Sequence, residues 1–254
     1  DVVFSKFIFY NAGTIRQDKF FVTLMTKALL NQGTKSYSSL DIADGLDFYG
    51  VDFSAIATNE YTTISFSFLR EYQKDVFPYM NEIIKYPVFP QKELDILINK
   101  SKQDFQLKCQ QTDFLARREF IANIFGKDNP YGKYGKIEDY DKVKREDLIN
   151  YYNQRYSYNQ CYIMASGNID DSFIDLLNDN FGKEKWNEKT AITKNEDITL
   201  DSKPISKTIY TNLDSAVQSS IVMGKIFPKI DSEDYIPLKV LTCILGGYFN
   251  SRLM

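Results

Sequence analysis

"FFVTLMTKALLNQGTKSYSSLDIADGLDFYG", residues 20–50, carries two helices back to back. Apolar residues stand at Phe21, Leu24, Met25, Ala28 and Leu29, three and four apart, which is the spacing of one helical face over residues 20–31. Gly33 follows as a helix stop. Ser38 or Ser39 then supplies an N-cap hydroxyl for a second helix through Phe48, with Gly50 just beyond it. On both sides of this stretch the pattern changes to strands. Residues 2–11 are rich in Val, Phe and Ile, residues 53–57 read as a short strand, and residues 61–69 alternate in "TTISFSFL" after a turn at Asn59-Glu60.

Helical patterns then dominate. They cover residues 76–85, ending before Pro87, then residues 93–110 and 114–124. Asp128-Asn129-Pro130-Tyr131-Gly132 is a loop with strong turn chemistry. A helix over 146–156, a strand over 160–167 and a helix over 170–181 capped near Asp170 complete this part. Strands at both ends with helices grouped between them predict an α+β domain, a mixed, mostly antiparallel sheet covered on one face by helices.

From residue 183 to 203 the chain is polar and charged without sustained periodicity, and reads as a linker. Order resumes with predicted strands over 205–211 and 217–225 and a helix over 235–245. "SIVMGKIFPKIDSEDYIPLKVLTCILGG" repeats the layout of "KFIFYNAGTIRQDKFFVTLMTKALLNQG": strand, irregular hinge, amphipathic helix, glycine. The expectation is a duplicated unit with the second copy truncated. Residues 1–182 form the first domain, 183–203 the linker, and 204–254 the start of a second homologous domain. The chain opens on Asp1 inside an extended segment and stops inside a helix, so both ends read as cut, which leaves room for a removed leader.

Composition narrows the chemistry. The 254 residues are 43% hydrophobic and 26% charged, enough for one large core or two ordinary ones. The net charge is −3 with no basic stripe, which argues against a nucleic-acid partner. No apolar run approaches the ~20 residues that span a membrane. The chain has no histidine, the commonest general base and zinc ligand. Cys109, Cys161 and Cys243 are far apart, without a C-x-x-C pair, and are expected to be buried free thiols.

Short motifs, in order, resemble the pitrilysin/insulinase-type family of inverted zinc peptidases, which includes the mitochondrial processing peptidases. They are Asn11-Ala12-Gly13, Leu29-Leu30-Asn31-Gln32-Gly33-Thr34, Leu46 with Gly50 before "DFSA", "TTISFSFL", Pro87-Val88-Phe89-Pro90, Asn129-Pro130-Tyr131-Gly132, "REDLINYYNQRYSYNQCYIMASGNID" and Gly246-Gly247-Tyr248-Phe249-Asn250-Ser251-Arg252-Leu253. The family's chemistry rests on H-x-x-E-H on a helix, two histidines on one face holding zinc and a glutamate acting as base. With Gly33-Thr34 as anchor, that motif falls on Leu24 to Ala28, and the base position on Lys27. The downstream carboxylate ligand falls near Asp104. The resemblance therefore implies a catalytically inactive member with no catalytic residue, no metal ligand set and no cofactor, whose Leu24 and Ala28 pack inward.

Such members pair with a zinc-bearing peptidase homologue, or a zinc-bearing half, to enclose a peptide-binding chamber. They often supply an Arg-Tyr pair that holds the substrate backbone, expected here beyond Met254; Arg252 belongs to the preceding signature and reads as a helix-surface or interdomain contact. The expected role is a non-catalytic subunit with a peptide substrate reached through the shared chamber. The alternative is a structural or interaction subunit of a larger complex with no proteolytic role. The compartment stays open.

Other constellations carry less. Asp170-Asp171 reads as a capping pair, Glu93, Asp95 and Asp104 as solvated helix positions, and Arg117-Arg118-Glu119 as surface. Ser166-Gly167-Asn168 has no histidine to activate its serine, and Gly246-Gly247 lacks the spacing of a dinucleotide loop. Tyr131, Tyr134 and Tyr140 either line a surface for a partner or anchor their loop to its own domain. A carboxylate-only enzyme would need paired acids facing a cleft.

Overall fold

The computed structural model describes residues 1–188, 208–214 and 216–253. Strands β1 (Val2–Phe9), β2 (Asp52–Ala57), β3 (Thr62–Leu69) and β4 (Cys161–Gly167) form one sheet in the order β2-β3-β1-β4. Every neighbouring pair is antiparallel, so the sheet described is antiparallel throughout. Phe7 lies opposite Ile64 on one side and Ile163 on the other. A period of two decides which side chains enter the core: Val3, Ser5, Phe7 and Phe9 are buried, while Val2 and Phe4 point out. At the end of β4, Gly167 has φ +110, and a Cβ there would meet the Val2 carbonyl oxygen.

The inward face of the sheet is covered by helices. In chain order the first seven helices are α1 (Val22–Ala28), α2 (Ser39–Phe48), α3 (Gln73–Lys85), α4 (Gln91–Lys108), α5 (Thr112–Phe125), α6 (Arg145–Arg155) and α7 (Asp171–Leu177), with α1 packed on β2 and α3 on β3. Burial on α3 runs Val76, Phe77, Met80, Ile83, Ile84, a stripe at helical spacing. Each such side chain contributes about 1.5–3 kcal/mol by leaving water. Phe77 meets Phe173 of α7 edge-on at 5.4 Å, and Phe9 meets Tyr156 beyond α6 at 4.7 Å. Helix starts follow local chemistry. Ser38 caps α2 in a reciprocal box with Asp41, and the Asp170 carboxylate accepts from Phe173 N at 3.0 Å to cap α7.

Several expectations need correction. The helix expected over 170–181 stops at Leu177 and widens into a π turn, Asn178–Gly182. Residues 183–188 join the first core: Trp186 is buried, meets Phe9 and Phe181, and donates from Nε1 to Phe181 O at 3.3 Å. The rest of the expected linker, 189–203, lies outside the described residues, as do 205–207 of one expected strand. Residues 208–211 and 217–225 are not strands. A strand needs a neighbour to take its backbone hydrogen bonds, and no described strand pairs with either segment. The following helix α8 (Tyr235–Gly246) does form, yet Ile236, Val240, Leu241 and Ile244 are exposed along it. The cysteines are free, but Cys109 and Cys161 are half-buried and Cys243 on α8 is exposed. Among the described residues no helix is long and apolar enough to cross a membrane.

Candidate functional site: the altered zinc helix

Helix α1 begins under unusual constraint. Its N-cap, Phe21, has φ +70, a backbone region that a bulky side chain adopts only when its surroundings impose it. Those surroundings are aromatic. Phe21 stacks on Tyr140 at 3.8 Å with rings 5° from parallel, and Phe105 of α4 meets it edge-on at 6.0 Å. Burial raises the pKa of the Tyr140 hydroxyl, and the nearby charge of Asp104 adds to this.

The buried residues of α1 are Val22, Thr23, Met25 and Thr26, continued by Leu29 and Leu30. This stripe packs against α6, where Tyr151 donates from its hydroxyl to Gly13 O at 3.0 Å. Leu24, Lys27 and Ala28 are only half-buried. The expectation that Leu24 and Ala28 pack inward is thus corrected: the inward stripe runs through 22, 25, 26 and 29, and the 24/27/28 face lies to its side. The Lys27 ammonium leaves that face to donate to the Ala55 carbonyl on β2 at 3.1 Å.

Zinc does not fit these residues. Leu24 and Ala28 end in aliphatic carbon, and the Lys27 nitrogen is a protonated donor already engaged with a carbonyl. Asp104 is exposed on α4 beside Tyr140, and among the described residues no group of three or more His, Cys, Asp or Glu could hold a metal ion.

The remaining candidates resolve into structural roles. Tyr131 donates to Glu60 at 2.6 Å, and burial together with that bond pushes its pKa up to about 12. Tyr134 donates to Glu119 at 3.0 Å beneath the Arg118 guanidinium, 4.5 Å from the ring. With Tyr140 buried, all three tyrosines anchor to their own domain. Arg118 and Glu119 are therefore half-buried fasteners rather than surface residues; Arg117 is exposed. Asp95 is exposed and accepts from Gln91 one helical turn away, Glu93 is half-buried, and Arg252 is exposed. Sequence reasoning missed Arg145, which donates to Phe89 O at 2.7 Å and Val88 O at 2.8 Å. No local pattern links residues so far apart in the chain.

Two family models take up most of the chain. The one described as insulinase (peptidase family M16) matches residues 22–131, and the one described as the peptidase M16 inactive domain matches residues 142–254. A "non-peptidase homolog YmxG" of Helicobacter pylori is 25% identical over 89% of this chain and 52% of its own length. An "uncharacterized zinc protease YmxG" of Bacillus subtilis is 24% identical over 87% of this chain and 53% of its own. The chain spans about half the length of these curated relatives. Among solved structures, a protease from Helicobacter pylori superposes with TM-score 0.79 at 13% identity, covering 99% of this chain and 62% of that one. A peptidase M16 inactive domain from Pseudomonas fluorescens gives 0.67 at 21% identity, covering 72% and 45%. These last two likenesses establish the fold. With that fold and those matched segments, the chain belongs to the insulinase family, peptidase family M16.

Proposed function

We propose that this protein is a non-catalytic, metallopeptidase-like subunit that pairs with a zinc-bearing homologue and forms part of the wall of a shared peptide-binding chamber. The observation that carries the reading is the state of α1. The helix is kept, with its strained N-cap and aromatic clamp, while its donor face holds Leu24, Lys27 and Ala28. A shaped surface can contribute to a partner's rate by positioning a peptide without doing chemistry. The exposed apolar face of α8 and the outward sheet residues Val2, Phe4, Tyr162 and Met164 support a role in assembly. The division into a first unit and the start of a second after the linker belongs to the same proposal.

The test is reconstitution. The protein is co-expressed with a zinc-bearing homologue from the same source, the complex is isolated, and peptide hydrolysis is compared with that of each chain alone. The expected result is a stable complex with at least tenfold higher activity than the homologue alone, and no zinc held by this chain. A stable complex with unchanged activity would favour the purely structural role. Failure to associate, or stoichiometric zinc in this chain, would overturn the proposal.

A further inference from the structure

The hydrogen bond from Lys27 to Ala55 lies at a free sheet edge. Among the described residues β2 is an outer strand, paired with β3 on one side only. Its register places Asp52 opposite Ser67, Ser54 opposite Ser65 and Ile56 opposite Thr63. Thr58 N donates to Tyr61 O at 2.8 Å at the hairpin end, one half of a hydrogen-bonded pair, while Tyr61 N donates to the Thr58 hydroxyl at 3.1 Å. In an antiparallel ladder such pairs alternate with pairs whose backbone groups point away. Counting back from Thr58, the inward-bonding residues of β2 are Ile56, Ser54 and Asp52. The backbone groups of Ala57, Ala55 and Phe53 therefore face the free edge. Ala55 is the middle residue of these three, and its carbonyl is the acceptor that Lys27 takes.

An unpaired row of N–H and C=O groups is a template for an added extended segment, and a lysine set against the edge is one way of closing it. We propose that Lys27 is an edge guard: by holding the central free acceptor of β2 and placing an ammonium in the path of an incoming backbone N–H, it closes this edge to extended peptides. The geometry supports this in two ways. α1 packs along β2, so the lysine is delivered from a fixed helix. Its stem is also half-buried, which limits its freedom to swing away. The inference deepens the proposed function, because it makes this subunit's side of a chamber a wall rather than a strand-binding surface.

The test uses the isolated full chain and a fluorescein-labelled, end-capped octapeptide of alternating Thr and Val. Binding is read by fluorescence anisotropy, and its location by amide hydrogen exchange at Phe53, Ala55 and Ala57, the amides that face the free edge. Lys27→Met and Lys27→Gln, each checked for folding by circular dichroism, are expected to bind the peptide at least tenfold more tightly than the unaltered protein and to gain protection at those three amides. Lys27→Arg is expected to behave like the unaltered protein. Equal binding and equal protection in the unaltered protein, or folded Met and Gln variants that gain neither, would overturn the guard. Because no partner enters the experiment, that failure would leave pairing with a zinc-bearing homologue untouched.

Discussion

Arg145, the first residue of α6, donates through Nε to the carbonyl of Phe89 at 2.7 Å. Phe89 has φ +49 and is buried, so its backbone is held in a conformation it would not choose while its ring fills the core against Tyr152. The second bond, to Val88 at 2.8 Å, makes the arginine a clasp on the segment leading into α4. Hydrogen bonds to a charged donor are worth about 1.5–3 kcal/mol. Arg145→Met is therefore expected to lower unfolding free energy by about 2–4 kcal/mol, the two bonds being partly compensated by water. Arg145→Lys, with no planar fork, should recover less than half of that loss. Urea denaturation followed by circular dichroism measures both.

Acid should loosen two helix starts. The Ser38 hydroxyl and backbone hold the Asp41 carboxyl below the usual carboxylate range. Bonds from Ser172 and Phe173, with Arg70 nearby, do the same for Asp170. A depressed folded-state pKa gives stability that is present above the unfolded value of 3.8 and lost as pH falls through the lower folded value. Melting temperature is expected to hold level down to about pH 5 and to drop from about pH 4 downward. Ser38→Ala removes the cap at a cost of about 1 kcal/mol at neutral pH. It should also flatten part of the acid limb, and an unchanged limb would remove Asp41 from the explanation.

The elements of the four-stranded sheet and its helices are legible in the sequence because their periods are clean. The alternation in "TTISFSFL", the stripe of α3 and the Ser38 cap are each decided by residues within a turn or two, and each element formed within a few residues of its expected bounds. The zinc motif is expected on α1 because Gly33-Thr34 serves as the anchor for its register. What could not be read depends on distant contacts. Burial of Trp186 comes from Phe9 and Phe181, and the turn of α1 toward Val22 and Met25 comes from its packing on α6. Residues 208–211 of the strand expected over 205–211, and the strand expected over 217–225, are not strands for the same reason. Their local pattern is β-like, but pairing is a property of the neighbour.

Alkali should act through the buried tyrosines. Burial raises the pKa of Tyr151, Tyr152 and Tyr156 well above the ordinary value of 10, and Tyr131 sits at about 12. A raised folded-state pKa contributes stability that is complete below the unfolded value and is lost as pH rises above it toward the folded one. Unfolding free energy should therefore fall from about pH 10 upward, with phenolate absorbance at 295 nm arriving in step with unfolding rather than before it. Tyr156→Phe should be neutral at pH 7 within about 1 kcal/mol, since Thr62 keeps its own acceptor in the Ala12 carbonyl. It should move the alkaline midpoint upward.

Restoring the donors is a direct test of whether the α1 face still has the geometry of its relatives. In Leu24→His/Lys27→Glu/Ala28→His, two imidazoles would share one face a helical turn apart, on positions that are only half-buried. The triple variant is expected to bind one zinc per chain by metal analysis after gel filtration, while the unaltered protein binds none. Adding Asp104→Asn should weaken that affinity by about tenfold if the carboxylate reaches the metal. A triple variant that folds and holds no zinc would mean that the face has drifted from a metal-binding geometry.

Trp186 gives a local probe, because the chain has a single tryptophan and it is buried against Phe9 and Phe181. Its emission should be blue-shifted in the native state and should report the core around Phe9 and Phe181. Trp186→Phe keeps an aromatic ring but loses the indole bond to Phe181 O, and should cost about 1–2 kcal/mol. Trp186→Ala opens a cavity at the end of the sheet and should cost about 3–5 kcal/mol. If residues after 182 were a mere linker, both substitutions would leave the urea midpoint unchanged. A midpoint shift ordered Ala above Phe places 183–188 inside the folding unit that holds the sheet.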